Sequence, residues 1–348
     1  MYMRLNYLRF LLAWTVLAFH ANFFAIPLAG QLAVWCFFLI SGFLVSEILY
    51  DTYRNRPGDF LKNRFLRIYP VYWVSFALGL ALIIFLPHVS REGVANLYWP
   101  QAYRQWFWNL TLFGASAEAG FMWTARPAWS LAVEMQWYIL LFVGSFIPRS
   151  LLLGFFVLVL ATPAILHFQF EEKYLTNGAG YCFALGALAY HLKPRIHPLI
   201  QGISLALLPL FLFATPLYLQ INAFEFSNTW VWLHFMIVPL LLFLALPWLS
   251  KKSKTSRLSE LTGQLSYPLF LTHTYFVYIF TVHLDIAPHS WALVAWVTVA
   301  SLILSTLIVF LVERPIGRIR GSIRNRLTQG AALVAEASVP LKPPTAPA

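Results

Sequence analysis

The chain has 348 residues, 60% of them hydrophobic and only 11% charged, where a soluble protein carries roughly 25% charged residues. So few charges cannot cover a chain of this length in water, and lipid is the solvent that the composition implies. The net charge of +11 does not point to nucleic acid, because the basic residues stand in short loops between apolar runs rather than on an aromatic-rich soluble face.

Ten apolar runs reach the length of about 20 residues needed to cross a 30 Å hydrocarbon core. They lie near 6–27, 31–50, 66–86, 128–147, 150–168, 175–192, 198–219, 229–249, 265–284 and 290–312. The expected fold is an all-α, polytopic transmembrane helical bundle. Residues 1–315 form the transmembrane domain. Residues 316–348 form a basic, then Ala/Pro-rich cytoplasmic tail whose composition predicts disorder.

The first run (LRFLLAWTVLAFH) holds two residues that are costly in lipid, Arg9 and His20. Eleven residues apart, they share one face and stand roughly 16 Å apart along the axis. Arg9 can snorkel to the surface; His20 has no such escape. A cleaved signal peptide is the other reading of this run, but ANFFAIPLAG offers no clean A-x-A site and the later runs make cleavage unnecessary. Cys36 in the second run and Cys182 in the sixth read as small buried hydrophobes, with no metal spacing and no disulfide framework.

The third run opens KNRFLRIYPVYW. Arg64 and Arg67 project from one side at its inner, N-terminal end, where free N–H groups and the helix dipole favour an anion. With Lys62 and Arg9 at the same level, these groups suit a phosphate-bearing ligand; anchoring on lipid headgroups is the alternative. WFWNLTLFG, near 106–114, is too short to span and reads as an interfacial segment. The outer segment 87–127 carries Tyr98, Trp99, Tyr103, Trp106, Trp108 and Trp123, which fit an interfacial aromatic belt or a saccharide-stacking surface.

The fourth run (AWSLAVEMQWYILLF) puts Ser130, Glu134 and Tyr138 on one face at i, i+4 and i+8. By helix rise Glu134 lies about 9 Å below the outer end and His20 about 10 Å below the same side, so the two meet if their helices are neighbours. A His beside a carboxylate in a dry site can act as a general base toward a hydroxyl; a structural pair joining two helices is the other reading. In the ninth run, LSYPLFLTHTYF, Ser266 and His273 share a face, with His273 placed to line the same cavity.

With the N-terminus inside, every Lys and Arg except Arg91, Arg104, Arg126 and Lys173 falls on the inner side. An extra or missing crossing would scramble that split, so it supports an even count with both termini cytoplasmic.

Taken in order, these motifs resemble the acyltransferase-3 family, the bacterial membrane O-acyltransferases of surface and secreted glycans. The resemblance rests on Arg9-x10-His20, FFLISGFLV (Phe37 to Val45), RFLRIYP with Arg64 and Arg67, WSLAVEMQWY with Trp129 and Glu134, SYPLFLTH ending at His273, and VERP with Glu313 and Arg314. It covers about residues 4–320, with Phe10 where a small residue is expected. The resemblance implies an O-acetyltransferase of the bacterial inner membrane. Its donor is acyl-CoA, usually acetyl-CoA, at the inner face, with no permanently bound cofactor or metal. Its acceptor is a glycan or glycoside hydroxyl at the outer face. His20, Glu134 and Arg9 are then catalytic, Arg64 and Arg67 bind the donor, and Ser130, Tyr138 and His273 line the substrate cavity. The rival classes are a transporter of a small solute or glycan intermediate, against which stands the lack of an internal repeat, and an inactive scaffold of the same fold.

Overall fold

The computed structural model describes residues 2–21, 28–54, 56–86, 97–113, 123–165, 178–214, 229–254, 256–288 and 290–324. The stretches 87–96 and 114–122, and the Ala/Pro-rich tail from 325 onward, lie outside them. All secondary structure among the described residues is helical. This is what lipid demands of a chain that must satisfy its own backbone.

In chain order the helices are α1 (Met3–His20), α2 (Ala29–Glu47), α3 (Pro57–Phe85), α4 (Tyr103–Thr111), α5 (Ala128–Gly144), α6 (Arg149–Ile165), α7 (Gly178–Leu192), α8 (Pro198–Pro209), α9 (Thr229–Leu249), α10 (Arg257–Tyr278) and α11 (Trp291–Ile308). Each of the ten apolar runs falls on one of them; α4 is the short addition. Three stretches, 29–52, 57–85 and 291–324, are long and apolar enough to cross a membrane by length and composition alone. Local chemistry sets the starts. Pro57 and Pro198 occupy first-turn positions where no N–H is needed. Ser256 and Ser290 accept from the backbone N–H of Ser259 and Leu293 as N-caps.

Wider π turns close α2, α8, α10 and α11. The turn at Val309–Glu313 matters most. It precedes Pro315, whose missing N–H would otherwise break the ladder, and the helix then runs on to residue 324. The expected domain boundary after residue 315 therefore falls inside a continuous helix.

α2 is the hub of the bundle, packed against α7, α1, α9 and α5, while α1 lies along α10 and α10 along α11. Gly42 and Gly186 let α2 and α7 approach backbone to backbone. A β-carbon at Gly42 would overlap the Phe183 carbonyl oxygen, and one at Gly186 the Leu39 carbonyl oxygen. Neither backbone can yield easily, so Gly42→Ala or Gly186→Ala is expected to cost at least the 1–3 kcal/mol or so typical of overpacking. Thermal unfolding of the purified variants in mild detergent, with Gly154→Ala as the open-space control, measures it.

The short segment expected near 106–114 is helix α4, packed on α3. It runs antiparallel along α3 toward that helix's N-terminal half. Trp106 meets Phe76, with ring centroids 6.1 Å apart. The Tyr72 hydroxyl donates to the Asn109 carbonyl at 2.5 Å and the Trp73 indole to the Leu110 carbonyl at 3.0 Å. The Tyr69 hydroxyl donates to the Thr111 carbonyl. The last carbonyls of a helix need donors, and three polar aromatic residues on α3 supply them, which lets a short segment sit alongside a longer helix. The chain returns through the buried residues Trp123, Thr124 and Ala125, with Thr124 seated against Gly79 of α3. α5 thus begins inside the bundle, not at its end.

Candidate active site

The polar residues form a column along the inside of the bundle. At one end stand two imidazoles. His273, on α10, is fully buried. Its Nδ1 lies 3.2 Å from the Leu269 carbonyl, and its Nε2 lies 3.0 Å from Nδ1 of His20, at the end of α1. The same His20 Nδ1 lies 2.9 Å from the Val16 carbonyl. The geometry assigns the protons. A carbonyl only accepts, so His273 Nδ1 carries a hydrogen and its Nε2 is an acceptor. His20 Nδ1, facing that acceptor and another carbonyl, must also carry a hydrogen. In neutral His20 the lone pair therefore resides on Nε2, the nitrogen that a base or a nucleophile would use.

Glu134 lies elsewhere in the column. Its carboxylate accepts from the Ser41 hydroxyl at 2.6 Å and the Tyr138 hydroxyl at 3.2 Å. It also interacts with the charges of Arg9 and Arg64. No hydrogen bond among the described residues joins Glu134 to His20, the pairing expected from helix rise. That expectation took Ala128 as the outer surface. The turn before α5 is buried, so Ala128 marks no surface, and Glu134 interacts with the charge of Arg9, roughly 16 Å of helix from His20.

The far end of the column is cationic. Arg64 is 7% exposed and donates to the Asn63 side-chain oxygen at 2.9 Å. Arg67 pairs with Glu313, carried in by the wide turn that ends α11. Arg320 donates to the same Asn63 oxygen at 3.3 Å. Arg9 makes no hydrogen bond among the described residues, although it interacts with the charges of Glu134 and Arg64. Its partner of choice is thus the opposite charge of Glu134, at a distance.

The structure therefore gathers Arg9, Arg64, Arg67, Glu134 and Tyr138 at one level and His20 with His273 at another. Ser130 is buried, with its hydroxyl turned back to the Pro127 carbonyl at 2.8 Å, and Ser266 does the same toward Gly263 at 2.9 Å. Ser41, Asn63, Arg320 and the pairing role of Glu313 were not foreseen. Ser41 had a usable signal, the one hydroxyl within FFLISGFLV. Arg320 had none, since a basic residue after the last span reads as ordinary inner-side charge.

Fold and column together define a helical membrane protein whose interior carries paired imidazoles above a cluster of arginines. A family model described as an acyltransferase domain matches residues 3–313, and the chain belongs to the acyltransferase-3 family. The exopolysaccharide production protein ExoZ of Rhizobium meliloti is 27% identical over 71% of this chain and 76% of its own length. Peptidoglycan O-acetyltransferase OatA of Listeria monocytogenes is 27% identical over 38% of this chain and 22% of its own length. Acyltransferase MdmB of Streptomyces mycarofaciens is 30% identical over 32% of this chain and 27% of its own length. The chain thus spans about a quarter of the length of the first relatives it matches, at 24% and 22%. No solved structure matches it.

Proposed function

We propose that the protein moves an acyl group, acetyl in the simplest case, from acyl-CoA at the inner face of the bacterial inner membrane to a hydroxyl of a cell-envelope or secreted glycan. In this reading the chain crosses the membrane ten times with both termini inside, which puts the arginine layer at the inner face and the imidazoles toward the outer one. The single observation that carries the proposal is the His20–His273 hydrogen bond, which places the lone pair of neutral His20 on Nε2.

Arg64 and Arg67 receive the donor's phosphates. Glu134, held by Ser41 and Tyr138, balances Arg9 and Arg64, so that the layer is not cationic enough to repel itself. The pantetheine arm runs up the column and brings the thioester to His20. The acceptor oxygen attacks the thioester carbonyl carbon while His20 Nε2 takes the hydroxyl proton. The carbon–sulfur bond breaks, and the thiolate leaves and takes that proton back from His20, giving ester and free CoA thiol. A relay in which Nε2 first carries the acyl group uses the same lone pair. His273 positions His20 through the Nδ1 bond and fixes its tautomer.

Mass spectrometry of envelope glycans from deletion and wild-type cells is the direct test, and the mass lost identifies both the acyl group and its carrier. Purified protein in vesicles, given labelled acetyl-CoA and the glycan so identified, should release CoA thiol in step with ester formed. Passage of a solute across the vesicle without thiol release would reject transfer in favour of transport.

A further inference from the structure

Asn63 poses a problem that the donor site as described does not solve. Its one side-chain oxygen accepts from both Arg64, at 2.9 Å, and Arg320, at 3.3 Å. Two guanidinium ions are thus drawn to one neutral atom. The acids around it are engaged: Glu313 with Arg67, Glu134 with Ser41 and Tyr138, and Asp59, within electrostatic reach of Tyr53, with Lys62. Two further donors are buried here without hydrogen-bond partners among the described residues. They are the Nε of Arg64 and the hydroxyl of Tyr53, a residue 2% exposed and within electrostatic reach of Arg64 and Arg320. The Nε of Arg320 is likewise buried and unsatisfied. Buried donors are almost always satisfied, and like charges held close together are favoured by an anion between them. Guanidinium forks and a phenol hydroxyl match the oxygens of a phosphate.

We infer that Arg320, on the helical extension beyond α11, joins Arg64 and Tyr53 in a pocket for a phosphate group, roofed by Asn63. The inference rests on the donor site proposed above and extends it: the segment after the last apolar run becomes part of the binding site rather than a tail. The phosphate belongs to the soluble acyl donor or to an anionic lipid headgroup, two sources with the same chemistry.

The test uses the full-length purified protein, with Arg320→Gln, Arg320→Lys and Tyr53→Phe. Binding of adenosine 3′,5′-bisphosphate and of pyrophosphate is measured by calorimetry in non-ionic detergent. Acetyl transfer is measured in vesicles of pure phosphatidylcholine and in vesicles with added phosphatidylglycerol. If the donor fills the pocket, Arg320→Gln weakens binding of at least one soluble probe about tenfold, the equivalent of roughly 1.4 kcal/mol. The donor KM in neutral vesicles rises by a similar factor, kcat is unchanged, and Arg320→Lys recovers part of the loss. If a lipid headgroup fills it, soluble-probe binding is unaffected, and Arg320→Gln and Tyr53→Phe abolish the difference between the two kinds of vesicle. Wild-type values in all arms for folded Arg320→Gln and Tyr53→Phe proteins would overturn the pocket. The parent proposal fails separately: calorimetry needs no turnover, and an Arg320 variant of wild-type behaviour beside an Arg64→Gln variant that has lost donor binding leaves that proposal standing.

Discussion

Replacing His20 with Ala is expected to lower acyl transfer by about 10²–10⁴-fold, the usual contribution of a positioned acid–base group, in a protein that still inserts and melts as the wild type does. The expectation follows from the proton assignment at the imidazole pair: with Nδ1–H fixed toward Val16 and His273, only Nε2 offers a lone pair to a substrate hydroxyl. Three companion variants separate this arrangement from one centred on Glu134. His273→Ala removes one of the two acceptors for the Nδ1 hydrogen and should reduce kcat by about tenfold, the worth of one buried hydrogen bond, with the donor KM unchanged. His273→Gln, whose amide oxygen can accept from His20, should recover part of that loss. Glu134→Gln should act chiefly on the donor KM, because Glu134 stands among the arginines and bonds to Ser41 and Tyr138. Steady-state kinetics with labelled acetyl-CoA reads all four. Full activity in a folded His20→Ala protein would remove the imidazole pair from the chemistry.

What could be read from sequence here was whatever depends on local spacing. The apolar runs located the long helices, because length and hydrophobicity decide a span with little help from neighbours. The motifs also picked out most of the polar residues of the column. Depth was not legible. Helix rise measures position along one helix, and turning it into a shared depth needs a common surface. The turn at Trp123–Pro127 spoils that assumption for Glu134, since it is buried, with Thr124 against Gly79, and the start of α5 marks no surface. The same blindness hid the partners of α4. Nothing in WFWNLTLFG announces that Tyr69, Tyr72 and Trp73, some thirty or forty residues earlier, will take up its terminal carbonyls. Glu313 and Arg320 were hidden for a related reason. Their sequence neighbours read as the end of a span and a basic tail, and only the wide turn at Val309–Glu313 swings one onto Arg67 and the other toward Asn63.

That turn leads to the second large effect, at the Arg67–Glu313 pair. The two side chains are 19% and 10% exposed. Removing one member of a mostly buried pair strands the other charge, at a cost of about 3–5 kcal/mol; partial exposure favours the lower figure. Glu313→Gln keeps the shape and deletes the charge, leaving Arg67 beside Arg9, Arg64 and Arg320, all of like sign. The expected result is a protein destabilised by about 3 kcal/mol that a phosphate-bearing donor rescues to an unusual degree. An anion bound in the layer now supplies the missing negative charge, and a ligand stabilises in proportion to its occupancy. Arg67→Gln should be destabilising for the opposite reason, an orphaned carboxylate, and should weaken donor binding instead of strengthening its rescue. The double variant carries no stranded charge, so it should be more stable than the two single losses added together. Its donor affinity should nonetheless stay low, because the guanidinium is gone. Melting curves of the four proteins with and without CoA measure both quantities in one experiment. Additive stabilities would mean that the pair is not coupled. An equal CoA-induced shift in wild type and Glu313→Gln would mean that the donor's phosphates do not reach Arg67.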